Sequence, residues 1–165
     1  RENEKLRSAL ERETEQTQFI AARVTSHSPS LLDDYLTINA GYADGVAIGA
    51  PVVIDGIIQV GTIAQAAEKS STVQVLSHVG EKVEIYIPEA DVSSVAIGKG
   101  AGLWEIQIPE SITVREGEPI MSMGPPDFVI GYIEHVERGA GPFHVVRSNH
   151  PVSLADVRMV FVLKK

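Results

Sequence analysis

The side chains able to do chemistry in this 165-residue sequence are five histidines, scattered serines and 22 acidic residues, with no cysteine. His27, His78, His135, His144 and His150 make no i,i+4 pair and no H-E-x-x-H, the spacing by which two imidazoles on one helix face share a zinc ion. They read as solvent-facing or strand-packed residues. Gly98-Lys99-Gly100-Ala101-Gly102 lacks the G-x-x-x-x-G-K-[ST] spacing of a phosphate loop, and strand rather than helix follows it, so a hairpin loop is expected. No serine sits in G-x-S-x-G, and Ser70-Ser71 and Ser93-Ser94 lie beside turns, where hydroxyls bond the local backbone. Asp33 and Asp34 are adjacent, so their side chains diverge and form no acid/base pair. No catalytic residue, cofactor or metal is expected.

Composition narrows the partners. A net charge of −8 and a pI of about 5.1 repel phosphate backbones and anionic headgroups, which argues against nucleic acid. Aromatic residues are 5% of the chain, too few for stacking platforms, and Trp104 reads as a core residue. Without cysteine there is no disulfide, thiolate nucleophile or Cys-based zinc site. What remains is recognition by surface.

The elements that carry such a surface turn on residues 39–53, where strand-like runs flank a glycine-rich corner. Asp44-Gly45 is a tight-turn dipeptide, Gly49 permits a further reversal, and Pro51 starts a strand where an N–H can be spared. Gly41 belongs to the same corner. Upstream, residues 1–18 are charged and free of Gly and Pro, which predicts a helix; Leu6 and Leu10 are the apolar positions of an a/d seam, either the fading end of a coiled coil, which would favour self-association, or an exposed helix. The sequence starts at Arg1 in mid-pattern, so further chain is expected before it, and an anchor or signal there is compatible with this start. No run approaches the roughly 18 apolar residues of a spanning helix.

From Phe19 the period changes to two, with strands at 20–26, 35–39, 51–54, 57–63, 72–76 and 82–87. The second half repeats this grammar. Gly49-Ala50-Pro51-Val52-Val53 followed by Val60-Gly61-Thr62-Ile63 reappears as Gly117-Glu118-Pro119-Ile120-Met121 followed by Ile130-Gly131-Tyr132-Ile133. Each copy places a corner before a strand and a glycine inside the next, where barrels bend or bulge. The organisation expected is a helix over 1–18, one β lobe over 19–90 and a second over 91–165, with shared strands allowed. Gly131-Tyr132, Met121, Met123 and Pro125-Pro126 would give the second lobe an adaptable apolar edge, or equally serve as ordinary core.

Residues 39–53, Asn39-Ala40-Gly41-Tyr42-Ala43-Asp44-Gly45-Val46 through Val53, resemble the D/N-A-G-x-x-D-G-V-x-x-G-x-P-V-V motif of the MreC family of rod shape-determining proteins. Val60-Gly61-Thr62-Ile63, Ser70 to Leu76, Val114 to Ile120 and Pro151 to Val162 are similar to the family's later motifs. The sequence departs from the pattern at Leu76 to Val83 and in a shortened loop, Gly124 to Gly131. The resemblance implies a mainly β fold, in which the N-terminal helix is followed by two small β-barrel-like lobes. It further implies a single-pass inner-membrane protein with this part in the periplasm or outside the cell, acting as a non-enzymatic scaffold of the cell-wall elongation complex. Implied partners are further copies of the chain as a dimer or longer array, a class B penicillin-binding transpeptidase, MreD and other elongation-complex proteins. They would be met through exposed strand edges and loops. Two alternatives stay open: a periplasmic adaptor of a transport assembly, which predicts a second long helix, and a cell-wall hydrolase, which predicts two carboxylates converging in a cleft.

Overall fold

A computed structural model describes residues 2–6, 19–27, 35–124 and 126–164. Residues 2–6 are helical; the rest of the expected helix, Leu10 included, lies outside the described residues, and Leu6 is exposed.

Twelve strands follow, and they close into two rings. The first ring uses β1 (Phe19–His27), β2 (Tyr35–Ile38), β3 (Pro51–Ile54), β4 (Ile58–Ala66) and β5 (Ser71–Val75). Its sixth member is the final strand, β12 (Met159–Leu163), and the order around the ring is β12-β1-β2-β5-β4-β3. The second ring comprises β6 (Lys82–Ile87), β7 (Val92–Gly100), β8 (Leu103–Pro109), β9 (Pro119–Ser122), β10 (Val129–Arg138) and β11 (Phe143–Asn149). Its order is β6-β7-β8-β11-β10-β9, and every pairing within either ring is antiparallel. Closure corrects one expectation. The β4–β5 and β10–β11 pairings complete the rings, so every strand has a neighbour on both sides and neither ring has an edge strand.

The alternation of the sequence fills each ring. Val52, Val60, Ile63, Val73, Val160 and Val162 point into the first, with Ile38 and Leu36 from β2. Ile85, Ile87, Ile106, Ile108, Ile120, Ile130 and Val146 fill the second around Trp104, which is 1% exposed. Truncating one such side chain to alanine costs about 2–5 kcal/mol. These cores do not divide at residue 90. β6 packs in the second ring, because Ile85 and Tyr86 pair with β9 and Ile85 and Ile87 enter the second core, and β12 returns to the first, because Val160 and Val162 lie between β1 and β3. The second barrel is thus inserted between β5 and β12 of the first.

The sequence repeat is a repeat of structure. With β12 standing for β6, the rings have the same strand order, so β3 and β4 correspond to β9 and β10. Register agrees: Pro51 faces Thr62 as Pro119 faces Tyr132, and Val52 faces Gly61 as Ile120 faces Gly131. The corners agree as well. Gly49 and Gly117 have φ of 84° and 88°, and their N–H groups donate to the carbonyls of Ile63 (2.8 Å) and Ile133 (2.7 Å).

Candidate interaction surfaces

The corner at residues 39–53 is built by a short 3-10 turn, Tyr42–Asp44. The Asp44 Oδ2 accepts from the Gly41 N–H at 3.0 Å, and Gly45 leaves the turn in the left-handed region at φ 98°. Gly41 itself is extended; what demands glycine there is the nearby backbone of Ala67 and Glu68, which a Cβ would strike. Gly61 and Gly131 are likewise sites of close approach, against Gln74 and against Ser148 with Asn149. Pro51 opens β3. The eight positions singled out in the sequence, Gly41, Asp44, Gly45, Gly49, Pro51, Gly61, Gly117 and Gly131, therefore occupy corners and strand crossings. The histidines are dispersed, and among the described residues no group of three or more His, Asp or Glu side chains is placed to hold a metal ion. The loop expected at 98–102 is a tight turn between β7 and β8, with Gly100, Ala101 and Gly102 all at positive φ.

The two barrels meet along one side and leave a groove of about 770 Å³. Its first wall is a row of outward residues fixed by register: Gln74 faces Thr62, Thr62 faces Pro51, and Leu163 lies beyond on β12. The second wall is the start of β6, from Lys82 to Glu84, and the loop carrying Met123, Pro126 and Phe128. Met123 is 54% exposed, the kind of pliable apolar side chain that suits a binding lip.

Few ties hold the walls together. Ile58 and Val129 form a single parallel bridge, and the Val129 N–H donates to the Ile57 carbonyl at 2.7 Å. Gln74 Nε2 donates to Glu81 Oε1 at 3.0 Å. His150, just past β11, has its ring 6.1 Å from that of Trp104, with Nε2 2.9 Å from the carbonyl of the buried Gln59. The Val152 N–H donates to Nδ1 at 3.2 Å, so both ring nitrogens have a backbone partner. Nothing in the local pattern marks this tie: a lone histidine before a proline does not reveal a contact 91 residues away.

Two further faces point outward from the barrels. On the second, Leu103 and Asn149 border a depression of about 500 Å³ that also holds Glu105, Glu134 and Arg147. Glu137 is ion-paired there with Arg147 at 3.4 Å and lies 3.3 Å from the His135 ring, and Lys99 pairs with Glu105 at 3.7 Å. On the first, Met159, Phe161 and Leu163 of β12 align with Arg23, Ala21 and Phe19 of β1, and the two phenylalanine rings meet edge to face at 6.4 Å. The signal for this stripe was legible in Met159-Val160-Phe161-Val162-Leu163, apolar at both parities: Val160 and Val162 enter the core, so the other three face out.

Residues 24–164 match the family profile of "Rod shape-determining protein MreC, barrel core". The cell shape-determining protein MreC of Haemophilus influenzae is 27% identical over 172 residues, covering 98% of this chain; the chain spans about half, 48%, of that relative's length. Among solved structures, MreC from Pseudomonas aeruginosa superposes with a TM-score of 0.80 at 20% identity, covering 88% of this chain and 98% of the other. MreC in a complex with penicillin-binding protein 2 from Helicobacter pylori superposes with a TM-score of 0.64 at 14% identity, covering 90% and 99%. The profile takes in nearly the whole of both rings, and on that match the chain belongs to the MreC family of rod shape-determining proteins.

Proposed function

We propose that this chain is a non-enzymatic scaffold of the cell-wall elongation complex, anchored in the inner membrane with its barrels in the periplasm or outside the cell. It binds a class B penicillin-binding transpeptidase and, through the membrane assembly, MreD. The observation that carries this reading is the shared fold with an MreC captured in complex with penicillin-binding protein 2. Because both rings are closed, recognition uses outward side chains and loops rather than strand addition. The inter-barrel groove, with its Met123 and Pro126 lip, supplies an adaptable apolar surface for that purpose. Self-association through Leu6 and Leu10 of the helix would present several copies to the synthesis machinery. Interferometry against the ectodomain of the elongation transpeptidase from the same organism, with a division-specific transpeptidase as control, tests the reading. Selective, saturable binding is expected; equal binding to both, or none at high micromolar concentration, overturns it.

A further inference from the structure

The chain passes between the barrels twice, at residues 76–81 after β5 and at residues 150–158 after β11. One turn of the second barrel, at 98–102, holds both passages. On the first, the Gly100 N–H donates to the Ser77 carbonyl at 2.7 Å and the Gly102 N–H to Ser77 Oγ at 2.9 Å, while Gly98 exchanges bonds with Gly80 (3.1 Å) and Glu81 (2.8 Å). On the second, the Gly102 carbonyl accepts from the His150 N–H at 2.7 Å. Each passage is also fastened to β4 of the first barrel: the Leu76 N–H donates to the Val60 carbonyl at 3.1 Å, and His150 Nε2 lies 2.9 Å from the Gln59 carbonyl. Two consecutive carbonyls of β4 are thereby joined, through Leu76-Ser77 on one side and His150 on the other, to a single turn of the other barrel. The glycines make this possible. A Cβ at Gly98 would strike the carbonyl oxygens of Ser77 and His78, and one at Gly102, where φ is 82°, would meet the His150 Cβ at 3.3 Å. Ser77 is 0% exposed, so water does not compete for the groups that the turn engages.

We propose that the turn at 98–102 is a clasp that sets the angle between the two barrels, with Ser77 and Gly98 as positioning residues for binding in the groove. The binding clause rests on the reading of the groove as the transpeptidase surface; the angle clause does not. Ser77, Gly98, Gly102 and His150 stand outside the groove lining, whereas Gln59 and Leu76, which the clasp holds, belong to it. Loosening the clasp therefore moves the groove walls without removing a contact from them. Molecules away from the parent angle are lost to binding in proportion to their number. The direct contacts between barrels are too slight to fix the angle alone: one bridge between Ile58 and Val129, and the exposed bond from Gln74 to Glu81.

Double electron–electron resonance between spin labels at Lys69→Cys in the first barrel and Gln107→Cys in the second tests the clasp. Both positions are exposed, and the chain has no other cysteine to label. The parent should give one narrow distance distribution. Ser77→Ala removes the acceptor of the Gly102 N–H, and Gly98→Ala forces the Ser77 and His78 carbonyls away; each should shift or broaden the distribution, while hydrogen exchange deep in both cores stays slow. Ser77→Ala is the smaller change and keeps the test open if Gly98→Ala fails to fold. Both should weaken transpeptidase binding about tenfold, as follows when loss of a buried hydrogen bond takes roughly nine-tenths of the molecules off the parent angle. Met123→Ala is the counterpart, expected to weaken binding at an unchanged distance. A broad parent distribution, or an unchanged one in the folded Ser77→Ala protein, overturns the clasp. Shifted distances with undiminished transpeptidase binding overturn the positioning role. A parent that binds no transpeptidase overturns the binding clause together with the proposed function, and the distances still decide the clasp.

Discussion

Gly61 offers the sharpest test of why the barrels close as they do. A Cβ built there would overlap the Gln74 carbonyl oxygen, with Val73 Cγ1 at 2.9 Å and the Gln74 carbonyl carbon at 3.0 Å, so β5 backbone has to move. That backbone is held on both sides, by β4 through Gly61↔Val75 and Thr62↔Gln74 and by β2 through Tyr35↔Gln74 and Leu36↔Val73. Overpacking of this kind costs about 1–3 kcal/mol where side chains can yield, and the obstacle here is main chain, which places Gly61→Ala at about 3 kcal/mol or above. At roughly 2–4 °C per kcal/mol for a chain of this size, the melting temperature falls by about 6–12 °C. Gly131→Ala, where the first obstacle is the Ser148 hydroxyl at 2.5 Å and then the Asn149 carbonyl oxygen at 2.7 Å, should cost somewhat less. Gly56 is the control: its φ is 74° with nothing within 4 Å of the added carbon, so Gly56→Ala carries only left-handed strain of about 1–2 kcal/mol. Calorimetry on the three variants should rank them Gly61, Gly131, Gly56 in falling damage. A Gly61→Ala protein as stable as the parent, or a Gly56→Ala protein less stable than either, refutes the reasoning.

Three further outcomes are expected. His150→Ala leaves the Gln59 carbonyl and the Val152 N–H without the imidazole, so hydrogen exchange should quicken around 57–61 and 150–153 while amides deep in either core stay protected; unchanged exchange at both segments counts against the tie. Asp44→Ala removes the acceptor for the Gly41 N–H and should lower stability by about 1 kcal/mol in urea unfolding, with no change in fold by circular dichroism; a neutral result would show that the corner does not depend on that carboxylate. Leu6→Asp with Leu10→Asp should abolish a helix-mediated dimer, and light scattering that returns the parent mass at low concentration would show that these leucines do not form the seam.

Much of the fold was written in local pattern. Alternation at 57–63, 82–87 and 103–108 marks strands because a pleated chain sends alternate side chains to opposite faces, and the G-x-P corners marked both copies of the repeat. What local pattern could not carry was pairing. That β12 belongs to the first barrel follows from where Val160 and Val162 find their neighbours, 110 to 142 residues away in sequence at Val52, Ala22 and Ile20, and the lobe boundary drawn at residue 90 fails for that reason. The expected free edges fail similarly, since closure is a property of the whole ring and of no single strand. Among the surface residues, Met123 was visible as an exposed-type side chain near a proline pair. Gln59 and His150 were not, because each is ordinary alone and acquires a role only across the barrel contact.

The claim that partners are recognised by the faces and loops of closed barrels is tested most directly by hydrogen exchange of this chain with and without the elongation transpeptidase ectodomain. Each strand is already flanked by a neighbour on both sides, so the account predicts new protection in the groove loops, at 76–81 and 122–128, with strand amides little changed. A strand that gains strong protection along alternate amides would indicate an opened ring and strand addition, and no gain anywhere would indicate that the transpeptidase does not dock here; either result contradicts the account.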